Sequence, residues 1–416
     1  MMFGAVPVAA LASLAISHAS NHAVPAASPP AAAPSPVPAA PVAIAVDGTA
    51  LPPPHEVEAA PIAMLVDLNS GRTLYAKNEA EAFPPASVTK TMTAFVAFEL
   101  LAEGRLKADQ HFTVSDAAWK EWHAKGSRMF IPYRASVSVD DLLMGIMNVS
   151  ANDGCIVLAE GVAGSVPGWV AMMNDAARRL GMSGSHFGTP NGWMDKGVTH
   201  YTARDLVKLA DAMITRYPAY FRRYVGHAEF SWNGITQRNH DPILGVVPGA
   251  DGIKTGFTGE AHYTYLGTAE RGGRRLVMVL AGVPTPRERE KAAKALMEWG
   301  FSAWDGAPLV AAGKVIARAE VQGGTAPAVD LVAPRAYAAS LPHGDHAPVS
   351  MRVIYTGPLQ APIARGAQVA QLAIRVGAGP EAHLPLVAGA DVPAGSAVDR
   401  LAAGFARLWP GSGKRS

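Results

Sequence analysis

Strand-like segments stand at both ends of a long helical segment, and this order limits the fold more than any other feature of the sequence. Residues 60–79, APIAMLVDLNSGRTLYAKNE, are typical of two strands joined by an Asn-Ser-Gly turn. Residues 87–217 are mostly helical in pattern, and strands return between residues 252 and 283. Because a helix follows from Pro286, the sequence predicts an α+β domain at residues 55–303, in which helices back one antiparallel sheet and form a helical subdomain.

The C-terminal part of the sequence has a different pattern. Residues 304–395 contain short β-like runs such as KVIARAEV and VSMRVIYTG, separated by Pro and Gly, which predicts a small all-β domain. Residues 396–416 include VDRLAAGFARLW, whose apolar residues recur at helical spacing. We expect this amphipathic tail to lie on the outer face of a membrane without spanning it, because about 20 apolar residues are needed to span. A helix packed on the β domain is the alternative.

The N-terminal residues are typical of an exported protein. Residues 1–19, MMFGAVPVAALASLAISHA, form a short apolar stretch that ends in a small-x-small pattern and resembles a secretory signal peptide, although a basic start is missing. Residues 20–54 are rich in Ala and Pro, a composition that builds no core and is typical of an extended linker. Export followed by a spacer is the simplest interpretation.

Composition excludes several classes of function. A net charge of +2, with 17% of residues charged, gives no reason to expect a nucleic-acid partner. Cys155 is the single cysteine, so the sequence has no internal disulfide framework, and a cysteine-based metal site is implausible. We expect Cys155 to be a small buried hydrophobe. No cluster of metal ligands is visible in the sequence, and we expect neither a metal nor a cofactor.

A serine and a lysine three residues apart stand where the first long helix begins. In PPASVTKTMTAF, residues 84–95, the two prolines delay the helix, so that Ser87 lies at or near its N-terminus. Residues three apart are neighbours on a helix, and Lys90 therefore lies on the side of the Ser87 hydroxyl. A lysine whose pKa is lowered by burial or by nearby cations can act as the base for an attacking hydroxyl. Alone, S-x-x-K more often means a capping serine and an exposed lysine.

Two further motifs favour a catalytic interpretation. NVSANDGC contains S-x-N at Ser150 and Asn152, between two helical runs. DGIKTGFT contains K-T-G at Lys254, Thr255 and Gly256, in a predicted strand that borders a cleft. Each motif alone is weak, since capping or an edge-strand lysine explains it. S-x-x-K, S-x-N and K-T-G in this order, however, are the signature of penicillin-binding proteins and class A β-lactamases.

The chemistry of an acyl transfer gives these residues their expected roles. Ser87 attacks a peptide carbonyl and becomes acylated, while Lys90 accepts its proton. The Ser150 hydroxyl relays a proton to the leaving amine, and the Asn152 amide holds the substrate backbone.

The K-T-G strand is expected to hold the substrate. Lys254 and Thr255 attract its carboxylate, the charge of Lys254 helps to keep Lys90 neutral, and Gly256 keeps the strand surface clear for an extended peptide. The backbone N–H groups of Ser87 and Phe257 are the candidates for the oxyanion hole.

With these motifs the chain resembles the D-alanyl-D-alanine carboxypeptidases, the low-molecular-mass penicillin-binding proteins of the bacterial cell envelope. PPASVTKTMTAF, VSANDGC, FGTPNGW, HYTARDL and GIKTGFT carry the resemblance, which covers about residues 58–303. The β domain and the tail are similar, less specifically, to the family's C-terminal domain and membrane anchor. The resemblance implies removal of the terminal D-alanine from peptidoglycan stem peptides in the periplasm, with β-lactam antibiotics as covalent inhibitors.

Two residues depart from the family pattern. Ala151 stands in the middle of S-x-N, where glycine is often found, and this difference affects only fine specificity. Phe257 replaces a histidine that follows K-T-G in some relatives, so its side chain is given no chemical role. Tyr263 is expected to belong to the core.

An arginine is the candidate contact for the free carboxylate of the substrate. In VPTPREREKAAKALMEWGF, Thr285 and Glu288 match a capping box, and Pro286 suits the first turn of a helix. Arg287 and Arg289 then lie in or beside the first turn, where the helix dipole disfavours cations, and this placement indicates a function. Counted back from WGF, Arg289 matches the position of an arginine that resembles a carboxylate contact in the family, and Arg287 is the second choice.

Three alternatives remain at this point. A class A β-lactamase needs a glutamate to activate the deacylating water, but the only glutamates between Asn152 and Lys254 are Glu160 and Glu229, and neither is in a suitable loop motif. A D,D-endopeptidase would differ mainly in substrate length. A non-enzymatic peptidoglycan-binding scaffold would not need every nucleophilic and basic residue of the signature.

Overall fold

The computed structural model describes residues 51–396, together with the backbone of a short strand at Ala45–Val46. The predicted signal peptide at residues 1–19 lies outside the described residues. So do most of the predicted linker at 20–54 and all but the first residue of the predicted tail at 396–416.

Strands at both ends of the first domain enclose a series of helices. In chain order the elements are β1 (Ala45–Val46), β2 (Ile62–Asp67), β3 (Arg72–Lys77), α1 (Lys90–Ala102), β4 (His111–Thr113), α2 (Asp116–Trp122), β5 (Ser136–Ser138), α3 (Val139–Asn148), α4 (Asn152–Ala163), α5 (Val166–Arg179), α6 (Ala203–Arg216), α7 (Pro218–Tyr224), β6 (Glu229–Trp232), β7 (Ile235–Arg238), β8 (Ala250–Thr258), β9 (His262–Arg271), β10 (Arg274–Val283) and α8 (Pro286–Ser302). Short 3-10 helices at His55–Ala59 and Ala86–Thr89 precede β2 and α1.

The main sheet joins the two ends of the domain in the order β1-β3-β2-β10-β9-β8. Apart from the parallel pair of β1 and β3, its strands are antiparallel, and β10 pairs with β2 through Val277 opposite Val66. The predicted fold class is therefore confirmed. β8, which carries K-T-G, is at the edge of this sheet.

Both faces of the main sheet are covered, as the apolar sequence of β2 requires. Successive side chains of a strand point to opposite faces. Met64 and Val66 accordingly join the core shared with the helical subdomain, whereas Ala63 and Leu65 join the core beneath α8. A strand buried on both sides reads as a continuous apolar run, which is why IAMLVD has no polar alternation.

The helix α1 is the centre of the helical subdomain. All of its residues except Glu99 and the terminal Ala102 are buried, including Lys90 and Phe98. It therefore carries no polar face, and Phe98 packs against the ring of Tyr224 on α7 with centroids 5.7 Å apart. Within residues 51–396 no single helix is long and apolar enough to cross a membrane.

A second region of strands follows α8. Its elements are β11 (Trp304–Val310), β12 (Val315–Gln322), β13 (Ala328–Val332), β14 (Tyr337–Pro342), β15 (Val349–Ile354), β16 (Leu359–Gln360), β17 (Gln368–Val376) and β18 (Ala382–Ala388). β11 pairs with β14, and the other six strands form one sheet in the order β15-β17-β18-β13-β12-β16. Alternate residues of β18, among them Leu384 and Leu386, are buried in a separate core.

Two small two-stranded sheets were not expected from the sequence. The pair β4–β5 joins three-residue strands that lie far apart in the chain, so no local pattern predicts it. The pair β6–β7 turns at Asn233 and Gly234, both with positive φ, and an Asn-Gly pair between short strands is a recognisable hairpin signal.

Candidate active site

Ser87 and Lys90 form the centre of the site. Ser87 lies in the 3-10 helix at Ala86–Thr89, and Lys90 is the first residue of α1. The Lys90 ammonium donates a 2.8 Å hydrogen bond to Ser87 Oγ and a 2.7 Å hydrogen bond to the carbonyl oxygen of Asn191. Lys90 is fully buried, and this burial lowers its pKa to about 8. An amine of this pKa, held against a hydroxyl, can accept the hydroxyl proton near neutral pH.

The segment before Ser87 is fixed by close backbone contacts. Ala86 has a φ of +50°, a conformation that costs energy for a residue with a Cβ. Gly192, with a φ of +72°, packs so closely that a Cβ there would lie 1.8 Å from the Ala86 carbonyl oxygen. Thr264 on β9 donates a 2.9 Å hydrogen bond from its hydroxyl to the carbonyl oxygen of Pro85. The segment that carries Ser87 is therefore held between a loop and the main sheet.

The S-x-N residues lie between α3 and α4, as the sequence predicts. Ser150 has a φ of +62°, and its buried Oγ has no hydrogen-bond partner within the described part of the chain. Asn152 is the first residue of α4, and its side-chain amide donates a 3.3 Å hydrogen bond to the carbonyl oxygen of Lys125. A strained backbone and an unpartnered hydroxyl are typical of a functional position.

Lys254 brings a second ammonium group into the same buried region. Its side chain is 4% exposed, and its Nζ donates a 3.0 Å hydrogen bond to the carbonyl oxygen of Thr255. Burial, and then the positive charge of Lys90, lower the pKa of Lys254 to about 7. Two lysines that disfavour each other's charge in one desolvated site share fewer than two protons at neutral pH.

Gly256 allows a close backbone contact, while its role in keeping the strand surface clear for a peptide stays a prediction. A Cβ at this position would lie 2.6 Å from the carbonyl oxygen of Pro85 and 3.1 Å from the Cβ of Ala86. The glycine therefore lets the segment that carries Ser87 approach β8. This close approach places the 3-10 helix that carries Ser87 against β8, which carries Phe257, the other candidate for the oxyanion hole.

Arg289 is the buried arginine of the site. It lies in the first turn of α8, is 9% exposed and makes only a long 3.5 Å hydrogen bond to the carbonyl oxygen of His240. Its Nε has no hydrogen-bond partner among the described residues, and burial lowers the pKa of this guanidinium. Arg287, the second choice, is exposed.

Tyr263 packs against the core beneath α8, as expected, but it remains partly exposed. Its ring stacks on Phe257 with centroids 4.4 Å apart. The guanidinium of Arg289 lies 5.5 Å from the centre of the same ring. The two aromatic rings and the arginine thus form one group beside K-T-G.

Two residues near Lys90, Lys254 and Arg289 were not predicted from the sequence. Asn191 belongs to FGTPNGW, which carried the resemblance, but its use as a backbone acceptor for Lys90 has no side-chain signature. His240 lies close enough to Lys254 and Arg289 for burial, and then these charges, to lower the pKa of its ring. No short motif surrounds His240. Among residues 51–396, no group of three or more His, Cys, Asp or Glu side chains could hold a metal ion.

Comparison with known protein families agrees with this geometry. A family model described as D-alanyl-D-alanine carboxypeptidase matches residues 48–285. A second model, described as the C-terminal domain of penicillin-binding protein 5, matches residues 304–394. Among curated proteins, the D-alanyl-D-alanine carboxypeptidase DacA of Haemophilus influenzae is 33% identical over 306 residues, which cover 73% of this chain and 77% of the relative.

Solved structures show the same similarity. Penicillin-binding protein 5 from Haemophilus influenzae superposes with a TM-score of 0.67 at 32% identity, over 82% of this chain and 99% of that chain. Penicillin-binding protein D2 from Listeria monocytogenes, solved in an ampicillin-bound form, has a TM-score of 0.54 at 30% identity, over 59% of this chain and 98% of that chain. On the fold, the motifs and these relatives, the chain belongs to the D-alanyl-D-alanine carboxypeptidase family of serine peptidases.

Proposed function

We propose that Ser87 and Lys90 remove the terminal D-alanine of peptidoglycan stem peptides through an acyl-enzyme. Ser87 Oγ attacks the carbonyl carbon of the scissile peptide bond while its proton passes to Lys90. The C–N bond then breaks, the leaving amine takes a proton through the Ser150 hydroxyl, and water hydrolyses the ester to restore Ser87. The observation that carries this proposal is the 2.8 Å contact between Ser87 Oγ and the buried Lys90 Nζ.

The other site residues orient the substrate around this pair. Asn152 holds the backbone on the N-terminal side of the scissile bond, and the N–H groups of Ser87 and Phe257 stabilise the oxyanion. Thr255 and Arg289 bind the free carboxylate, with Lys254 adding positive charge. The support for Arg289 is its burial without an ion-pair partner among residues 51–396, because a buried guanidinium is stable only beside an anion or several acceptors.

β-Lactam antibiotics are proposed to acylate the same serine. The similar Listeria monocytogenes protein has been solved with ampicillin bound. Incubation with a penicillin should add the mass of the antibiotic to the peptide that contains Ser87, and Ser87→Ala should abolish the adduct. Lys90→Ala should remain folded by circular dichroism but lose acylation. An adduct that persists in Ser87→Ala would refute the assignment of the nucleophile.

The activity itself is tested with a pentapeptide that ends in D-Ala-D-Ala. Purified protein should release free D-alanine, and Ser87→Ala should not. Release of D-alanine from short stem peptides but not from cross-linked dimers separates a carboxypeptidase from a D,D-endopeptidase. A scaffold without activity would release none from either substrate.

A β-lactamase is the weaker alternative. Glu160 lies eight residues beyond Asn152 on α4, about 12 Å along the helix, and its carboxylate accepts a 2.8 Å hydrogen bond from Ser115. Glu229 is exposed on β6. Neither position favours activation of a deacylating water at Ser87, so we expect the penicillin adduct to hydrolyse slowly.

The protein is exported, because enzymes of this family act on cell-wall peptides. We further propose that the tail at residues 396–416 attaches it to the outer face of the cytoplasmic membrane. The support is the helical spacing of apolar residues between Val398 and Trp409, followed by Lys414 and Arg415. Truncation after Gly395 should move the protein from the membrane pellet to the supernatant. A truncated form that still sediments with membranes would contradict this role.

A further inference from the structure

A lysine enclosed by two tryptophans lies next to Asn152. The Nζ of Lys125 is 4.4 Å from the centre of the Trp122 ring and 5.0 Å from the centre of the Trp193 ring. The two rings meet edge to face, with centroids 5.6 Å apart. The Lys125 side chain remains 33% exposed, so the ammonium group is accessible to a ligand. We call these three residues the tryptophan–lysine corner.

The corner is attached directly to the proposed catalytic groups. The carbonyl oxygen of Lys125 accepts the hydrogen bond from the Asn152 amide. Trp193 follows the loop whose Asn191 carbonyl accepts from Lys90, and its own N–H donates a 3.0 Å hydrogen bond to Asn191 Oδ1. A Cβ at Gly126 would lie 2.6 Å from Asn152 Nδ2 and 2.7 Å from the Trp193 ring. The Trp193 ring and the Asn152 amide therefore meet at Gly126.

Hydrogen bonds to the start of α4 fix the loop that carries Lys125. The buried carboxylate of Asp153 accepts from the N–H groups of Met129 and Ile131, at 3.0 and 3.1 Å. The N–H of Asn152 donates a 2.8 Å hydrogen bond to the carbonyl oxygen of Ser127. The position of the corner is thus determined by the same helix start that positions Asn152.

The orientation of the substrate places one particular side chain beside this corner. This step rests on the proposed function, in which the free carboxylate lies at Arg289, the scissile carbonyl at Ser87 and the preceding backbone at Asn152. The contacts between Asn152 and the corner then bring the corner beside the next side chain of the substrate. Trp122 is only 7% exposed and Lys125 lies over both indole rings, so the group that the corner offers to a ligand is the ammonium, which attracts an anion. We propose that the tryptophan–lysine corner selects stem peptides in which the residue before D-Ala-D-Ala has a long side chain ending in a carboxylate.

Glu121 competes for the same ammonium group. It forms an exposed ion pair with Lys125 at 3.0 Å, in which the Glu121 side chain is 59% exposed. Exposed pairs of this kind are weak, so a substrate carboxylate held in the cleft can take the place of Glu121. Glu121→Gln should therefore increase the preference for an anionic side chain, which is the opposite of the effect expected for loss of Lys125.

The test uses acetyl-X-D-Ala-D-Ala, where X is L-2-aminoadipate, its side-chain carboxamide or L-lysine. The carboxylate peptide should have a kcat/KM about three- to tenfold above that of the carboxamide, between the values for an exposed ion pair and a charge-assisted contact. The difference should appear mainly in KM and should decrease with added salt, with L-lysine the poorest substrate. Lys125→Gln should remove the preference, and Lys125→Arg should retain it.

Lys120→Gln is the matched control, because Lys120 is an exposed lysine on the preceding helix α2. It should leave the preference unchanged. Equal kcat/KM values for the carboxylate and carboxamide peptides in the wild-type protein would overturn this inference. Because both peptides would still release D-alanine, the proposed function would stand. A preference that survived in Lys125→Gln would also overturn it. A wild-type protein that released D-alanine from none of the three peptides would instead contradict the proposed function.

Discussion

Lys90 and Lys254 place two ammonium groups in one site from which water is largely removed. Each side chain is at most 4% exposed, and burial lowers both pKa values. The Coulomb repulsion between the two charges favours states in which one lysine is neutral. With the lower pKa, about 7 against about 8, Lys254 loses its proton first, so the state that holds the remaining proton on Lys254 and leaves Lys90 neutral is the minor one near neutral pH.

The pKa of Lys90 predicts how acylation depends on pH. Only the neutral amine accepts the Ser87 proton, and the neutral fraction rises with pH. With a pKa of about 8 this fraction grows from about 1% at pH 6 to about one half at pH 8, so the acylation rate constant should rise about fifty-fold. Stopped-flow measurement of acylation by a penicillin, at a series of pH values, gives this rate constant. A flat profile would mean that another base operates.

Arg289 should contribute to catalysis only when the substrate has a free carboxylate. Loss of a charge-assisted contact costs about 1.5 to 3 kcal/mol, or roughly ten- to a hundredfold in kcat/KM. Arg289→Ala should show this loss on a D-Ala-D-Ala peptide and little loss on the corresponding C-terminal amide. The control is Arg287→Ala, which changes an exposed arginine in the same helical turn. Equal losses on acid and amide would contradict the assigned contact.

Loops with positive φ, placed between regular elements, hold the nucleophile and its neighbours. Ala86 precedes α1, Ser150 lies between α3 and α4, and both are non-glycine residues with φ near +60°. Such conformations persist only where the surroundings enforce them. At Ala86 this enforcement comes from Gly192 and from β8, which both approach the backbone closely.

Gly192→Ala tests whether this contact fixes the nucleophile. The new Cβ would lie 1.8 Å from the Ala86 carbonyl oxygen, so the segment that carries Ser87 has to move. We expect penicillin acylation to fall at least tenfold, since small displacements of a nucleophile are costly. Gly197→Ala is the control, because Gly197 also has positive φ, +81°, but no atom lies within 4 Å of its added Cβ. It should lose about 1 kcal/mol of stability and keep its activity. Similar acylation in both variants would contradict the role of Gly192.

Helices and strands were predictable from the sequence where neighbouring residues alone determine the pattern. β2 and β10 read as apolar runs between turns, and the three motifs fall at the start of α1, the start of α4 and the edge strand β8. The pairing of β4 with β5 depends on a long-range contact, which no local pattern encodes. Tyr263 packs against the core beneath α8, as an aromatic residue in a strand predicts, but its stacking on Phe257 depends on the register between β8 and β9.

The site residues show the same division. S-x-x-K predicted the neighbourhood of Ser87 and Lys90, because a three-residue separation on a helix fixes it. The backbone acceptor at Asn191 and the contact between Gly256 and Pro85 were not predictable, since they depend on how separate elements pack.

At the scale of the whole molecule, buried polar contacts join the second region to the turn between β2 and β3. Asp67 accepts hydrogen bonds from Arg274 Nε at 2.6 Å and from Ser340 Oγ at 2.8 Å. The Asn69 amide donates to the carbonyl oxygens of Gly273 and Ala336, each at 3.0 Å. Such contacts fix an orientation, because each buried polar group would be left unsatisfied if the regions separated.

One largely buried ion pair should dominate the stability of this junction. Arg335, just before β14, pairs with Asp211 on α6, and their side chains are only 18% and 13% exposed. Two further nitrogens of Arg335 have no hydrogen-bond partner within residues 51–396, so its charge depends on Asp211. Asp211→Asn leaves that charge uncompensated and should cost about 3 to 5 kcal/mol of stability. Chemical denaturation measures this loss.

The double variant Asp211→Asn, Arg335→Met removes both charges and should recover most of the stability that Asp211→Asn loses. If that loss came only from a local effect on α6, the second substitution would not restore it. Asp330→Asn is the control: it breaks the exposed pair with Arg318, whose side chains are 47% and 71% exposed, and should change stability by less than about 1 kcal/mol. If Asp211→Asn were as stable as Asp330→Asn, the ion pair would not hold the junction. D-Alanine release at 25 °C should remain in every variant that is folded there, because the junction lies outside the group formed by Ser87, Lys90 and Lys254.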